Sequence, residues 1–187
     1  MLDLSTVGPA ARCTRLLADY GALVVKVGPV PTADAAPIVP QYFAYSGHRG
    51  MRRVLVEYVR TVSRDGVPLK DDPVIRQRLA QLATQLEVAR VMGLKFVFES
   101  SKGGAAPTAE ASEYKLFATE LSKRLANASM DIAGPGSQLR VKTEEAPLAG
   151  RSESTYRYTV IDTIGGGASE IQKNIIARRK LGLPKNF

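Results

Sequence analysis

The sequence predicts a mainly α-helical protein: an antiparallel four-helix bundle with a small N-terminal β-α-β appendage. Three observations carry this. Apolar or small residues recur at spacings of three and four along Leu79, Leu82, Leu86, Ala89, Gly93 and Phe96, and again along Ala111, Tyr114, Ala118, Leu121, Leu125, Ala128 and Ile132. Each series is one face of a long helix. Only the short Gly/Ala/Pro stretch Gly103–Pro107 separates the two, so they pack antiparallel. Near the start the rhythm changes, and the near-continuous apolar run Leu23–Val27 suits a strand of a parallel sheet covered on both faces.

Taken in order, Leu2–Ser5 reads as a short strand, Ala10–Tyr20 as a helix with Leu16, Leu17 and Ala18 inward, and Leu23–Val27 as the second strand of one β-α-β unit. A helix is expected over about Gly50–Arg64, stopped at Asp65-Gly66 before Pro68. Asp71-Asp72-Pro73 opens the first long helix, with an acidic cap and proline in the first turn. Ala89, Gly93 and Ala118 are small enough to let the long helices approach closely. Gly134-Pro135-Gly136 ends the second long helix, and Ser137–Arg151, with little apolar periodicity, is expected as a surface loop. A short helix follows near Ser154–Asp162, and a last one starts near Ala168. The expected division is an appendage over residues 1–54 and a helical bundle over 55–187.

At 187 residues with 44% hydrophobic content, the chain can bury one good core. No run approaches the roughly 18 apolar residues of a membrane span, and the Met1-Leu2-Asp3 start lacks the basic and apolar regions of a signal peptide. Cys13 is the only cysteine, which excludes an internal disulfide and fits a cytoplasmic location. One Cys and one His, His48, do not make a metal site. The net charge of +8 gathers at Arg49–Arg64 and Lys173–Lys185. Most of it serves as solvated surface. For a specific anion, the pyrophosphate of CoA or FAD is more economical than nucleic acid, for which no motif is present.

The stretch most informative for chemistry is Thr163-Ile164-Gly165-Gly166-Gly167-Ala168-Ser169-Glu170-Ile171-Gln172. Three glycines feed a helix in which Ile171 and Ile175 are expected inward and Gln172 and Lys173 outward. Such a loop exposes unpaired N–H groups at the positive end of a helix dipole, and glycine lets a ligand come close. A bare triple glycine also serves as a flexible joint between helices.

Thr163–Pro184, together with Asp72–Ala80 and Glu110–Phe117, resembles the C-terminal helical domain of the acyl-CoA dehydrogenases over roughly Val56–Leu183. These are FAD-dependent oxidoreductases that convert acyl-CoA thioesters to enoyl-CoA. The resemblance implies FAD as cofactor, acyl-CoA as substrate, and a homo-oligomer or a partner dehydrogenase subunit that shares the flavin site. Carried over by position, Gly165, Gly166, Gly167, Ala168 and Glu170 lie on the flavin side, although many relatives place threonine at the position of Ala168. Arg60 and Arg64 flank Val62, where the family places an arginine. Asp131–Gly136 resembles a glutamine–glycine flavin contact, with Asp131 in the place of glutamine and Pro135 interrupting the glycines. One branch puts the catalytic glutamate where this chain has Gly166, so no catalytic base is identified and the chain is expected to be inactive alone. Glu110 and Glu113 read as a helix-start charge pair.

Residues 2–54 resemble the start of the class III CoA-transferases and α-methylacyl-CoA racemases. In that resemblance Tyr42–Gly50 is the basic segment that approaches the CoA phosphates, with Arg49, Arg52 and Arg53 as candidates. The sequence thus reads as two truncated modules fused. Two further functions stay open: a CoA-binding module, and a non-enzymatic helical assembly protein.

Overall fold

The structure is a computed structural model that describes residues 2–3, 25–26, 38–102 and 108–184, with side chains over 50–102 and 108–184. Five α-helices lie within them: α1 (Ile38–Thr61), α2 (Pro73–Ser101), α3 (Thr108–Ala133), α4 (Arg151–Asp162) and α5 (Ser169–Arg179). Two strands, β1 (Leu2–Asp3) and β2 (Val25–Lys26), pair in parallel, with Leu2 opposite Val25. The helix expected between them, Cys13, and the expected loop Gly103–Pro107 lie outside the described residues.

Helix α1 begins well before the expected Gly50 and ends before Arg64. Gly47 and Gly50 lie inside it: an interior glycine costs a helix only about 1 kcal/mol, and packing overrides that. Met51, Leu55 and Val59, four apart, are the buried face. The helix stops where Asp65 and Gly66, both at positive φ, make a two-residue turn between β3 (Ser63–Arg64) and β4 (Val67–Pro68). Positive φ at both central residues is what a tight hairpin turn of this kind requires.

Asp72 caps α2 as its sequence predicts, its Oδ1 accepting from the N–H groups of Val74 at 2.8 Å and Ile75 at 3.2 Å. The expected faces hold: Leu82, Leu86, Ala89 and Phe96 of α2 are buried, as are Tyr114, Ala118, Leu121, Leu125, Ala128 and Ile132 of α3. The two run antiparallel. Gly93 packs on the Tyr114 ring, Gln85 accepts from Arg124 at 2.9 Å, and Arg78 pairs with Asp131 at 2.7 Å, so numbers rise along one helix as they fall along the other.

Helix α3 is the axis of the molecule, packed against all four other helices. Its Leu121 and Leu125 are 0% and 1% exposed, and each contributes about 1.5–3 kcal/mol by leaving water. The described architecture is therefore five helices, four of them packed around the central α3, rather than a plain four-helix bundle. The expected surface loop after α3 is also more structured. It folds into a 3-10 turn at Pro135–Gln138 and a tight turn at Pro147–Gly150, where Leu148 and Ala149 take positive φ, with Ser137, Ala146 and Gly150 buried. Sequence periodicity misses such turns because they bury single residues and make no repeating face.

Candidate functional site

The glycine segment joins α4 to α5. Gly165 N–H donates to Ile161 at 2.7 Å and Ser169 N–H to Thr163 at 3.1 Å, closing the bend on itself. Between these bonds, Gly166 and Gly167 have φ +70° and +99°, a region that favours glycine. Their carbonyls turn inward. Gln172 Nε2 donates to Gly166 O at 3.0 Å and Gly167 O at 3.2 Å, and Lys115 Nζ donates to Gly167 O at 2.7 Å. With the carbonyls held, the N–H groups of Gly166, Gly167 and Ala168 have no acceptor among the described residues. Ala168 provides no side-chain cap to α5. Gly165, Gly166 and Glu170 are exposed, and Gly167 and Ala168 are half-buried. The loop is a surface bend that offers donors.

Gln172 corrects an expectation. It is buried, while Ile171 is 52% exposed, the reverse of the order expected from their apolarity. The reason is that two loop carbonyls need a donor, and the Gln172 amide satisfies both.

A polar cluster lies under the bend. Ser169 Oγ donates to Glu120 Oε1 at 2.8 Å. Burial lowers the Lys115 ammonium from its ordinary value, opposed by the charges of Asp162, Glu120 and Glu170. Burial raises the Asp162 carboxyl, opposed by a hydrogen bond from Ser122 and by Lys115. Sequence reading missed Lys115, Glu120, Asp162 and Ser169. The available signal was a lysine beside the buried stripe, between Tyr114 and Ala118. Glu110 and Glu113 do act together, both approaching Lys180, at 3.6 and 2.8 Å. With Arg179 donating to Thr108 at 2.6 Å, they fasten α5 along the start of α3.

Arg60 and Arg64 lie elsewhere. Arg64 Nη2 donates to Ile132 O at 2.6 Å, at the far end of α3 from Lys115. At 1.5 Å per residue, that end is roughly 25 Å away, so one chain does not bring these arginines to the glycine loop. Arg60 is exposed. Nearby, an open cleft of about 620 Å³ is lined by Arg78, Asn127, Asp131, Gly134, Ser137 and Tyr156 among others. It presents little for an anion: Arg78 is held by Asp131, Arg64 has a partner carbonyl, and Pro135 lacks an N–H. Arg49's side chain lies outside the described residues. Arg52 is half-buried and Arg53 exposed.

The sequence profile of the family described as acyl-CoA dehydrogenase, C-terminal domain, matches residues 42–181. The chain belongs to the acyl-CoA dehydrogenase family. It is similar to acyl-CoA dehydrogenase FadE26 of Mycobacterium tuberculosis, 32% identical over 127 residues, covering 67% of this chain and 32% of the relative. It is also similar to the probable acyl-CoA dehydrogenase YngJ of Bacillus subtilis, 31% identical over 124 residues, covering 66% and 30%. Among solved structures, the ChsE4-ChsE5 complex from Mycobacterium tuberculosis superposes with a TM-score of 0.69 at 30% identity, over 75% of this chain and 36% of that one. The chain thus spans about a third of the length of these acyl-CoA dehydrogenases. The match begins at residue 42, inside the segment read as transferase-like, and α1 runs unbroken across the expected boundary at 54/55.

Proposed function

We propose that this chain is part of an acyl-CoA dehydrogenase-family flavoprotein, contributing a flavin-facing loop and inactive in acyl-CoA oxidation by itself. The observation that carries this is the bend at Gly166–Ala168, whose carbonyls are tied inward by Lys115 and Gln172 while its amides stay free. Those amides and the start of α5 are the groups that would hold FAD. Bound there, FAD would supply the hydride acceptor. Glu170 in the first turn of α5 offsets the positive helix end, so the loop suits the neutral acceptor atoms of a ring better than a second full anion. Gly166 offers no carboxylate to take a substrate proton.

Because the loop and the Arg64 region sit at opposite ends of α3, a cofactor touching both would have to bridge two subunits. We infer an oligomer or a partner dehydrogenase subunit. Val88, Val91, Leu94 and Phe98, spaced along one side of α2 and 42–61% exposed, supply an apolar row for such a contact. We also infer that the helical domain starts with α1, before residue 55.

The test is a visible spectrum of the purified chain, alone and with FAD, followed by acyl-CoA and an electron acceptor. Flavin binding that requires a second subunit, with no acceptor reduction by the chain alone, is the expected result. Acceptor reduction by the isolated chain sinks the inactivity; failure to bind FAD with any dehydrogenase subunit sinks the flavin reading. Light scattering checks assembly, and a clean monomer counts against the shared site.

A further inference from the structure

A second cluster lies where the middle of α1 meets the start of α4. A cleft of about 360 Å³ is lined there by Arg53, Val54, Val141, Arg151, Ser154 and Thr155 among others. It shares no lining residue with the glycine loop or with the cleft at Asp131.

Arg53 and Arg151 both line this cleft, and neither makes an ion pair with a described residue. The nearest acids in sequence do not neutralise them. Glu57, one turn along α1 from Arg53, forms no ion pair with a described residue, and Glu153, near Arg151, is taken by Arg157 at 2.5 Å. Unpaired like charges that share a concave surface raise its potential and call for a counter-ion.

Independent observations point the same way. Helix α4 starts after Gly150 with no side-chain cap, so its first-turn amides beyond Arg151, whose N–H donates to Leu148 O, lack an intrahelical partner. Arg52 Nε and Ser152 Oγ, each next to one of the two arginines in sequence but outside the lining of the cleft, are buried without a partner among the described residues, and Ser152 is 0% exposed. Buried donors left unmet cost about 1–3 kcal/mol each. The neighbourhood therefore has an excess of donors over acceptors.

We propose that this cleft binds a phosphoryl anion, with Arg53 and Arg151 clamping its oxygens and the Ser154 and Thr155 hydroxyls donating to it. Planar guanidinium forks match phosphate oxygens in pairs, and hydroxyls with helix-start amides complete the set. The ligand is a free diphosphate or the phosphoryl group of a larger cofactor.

Calorimetric titration of the full chain with inorganic pyrophosphate at low salt tests this. One saturable site is expected. Arg53→Gln with Arg151→Gln should weaken it by roughly tenfold or more. The charge-matched control Lys123→Gln with Arg178→Gln should leave it within about twofold. If the glutamine pair fails to fold by circular dichroism, Arg53→Lys with Arg151→Lys decides, since lysine keeps the charge and loses the fork; a several-fold weakening supports the site, and unchanged affinity overturns it. Equal weakening by the control pair shows diffuse attraction to the net charge of +8 and overturns the proposal, as does the absence of saturable heat. Titration with CoA and with FAD separates the sources: binding tighter than pyrophosphate, and lost with the same arginines, assigns the site to a phosphoryl group of that cofactor.

Discussion

Lys115 Nζ donates to the carbonyl oxygen of Gly167 at 2.7 Å, linking positions 52 apart in the chain. This bond and the two from Gln172 decide which way the bend faces. A flexible polyglycine segment would sample both orientations of its peptide planes. Holding its carbonyls inward commits the amides to the outside.

Replacing Lys115 with Met keeps the stem and removes the donor. A hydrogen bond from a charged group contributes about 1.5–3 kcal/mol, and this ammonium is half-buried. We expect a loss near the lower end of that range, read from urea unfolding. We also expect faster hydrogen exchange at Ser169 and Gly165, whose amides close the bend. Unchanged exchange would show that the bend holds itself.

Alanine at Gly166 and at Gly167 should differ. Both have positive φ, which alone costs about 1–2 kcal/mol. At Gly166 an added methyl meets nothing within 4 Å, whereas at Gly167 it would lie 2.6 Å from Gln172 Nε2. G167A should therefore be the more destabilising, with the Gln172 bonds broken as well. Thermal melts of the two variants side by side check the order, and equal losses refute it.

The pH dependence follows from Asp162. Burial raises its folded-state carboxyl above the ordinary value of 3.8. The folded protein thus holds this proton more tightly than the unfolded chain, so stability falls as pH rises from about 3.8 through the raised value. D162N, able to keep the bond from Ser122, should lack this contribution. The stability difference between D162N and the parent should therefore grow in favour of D162N across that window. A difference independent of pH contradicts the assignment.

Asp72→Ala removes the cap of α2 and should cost about 0.5–2 kcal/mol. Its carboxylate accepts two first-turn amides, at 2.8 and 3.2 Å. Asp72→Ser should restore most of the loss in the same denaturation experiment, and no restoration would point to a role other than capping.

Local chemistry set much of this protein from the sequence alone. The three-and-four spacing of Leu82, Leu86 and Ala89, and of Leu121, Leu125 and Ala128, fixed the buried faces, because burying apolar area needs only one continuous stripe per helix. Asp72-Pro73 fixed a helix start, and Gly134 a helix end, through backbone geometry local to those residues. The glycine bend was visible for the same reason. Tertiary structure alone decided that Gln172 is buried and Ile171 exposed, that Arg64 serves the end of α3 rather than the bend, and that Arg53 and Arg151 line one cleft. Each of these depends on a partner from a distant segment, a carbonyl needing a donor or a helix end arriving nearby, and no periodicity in a linear sequence encodes which partner arrives.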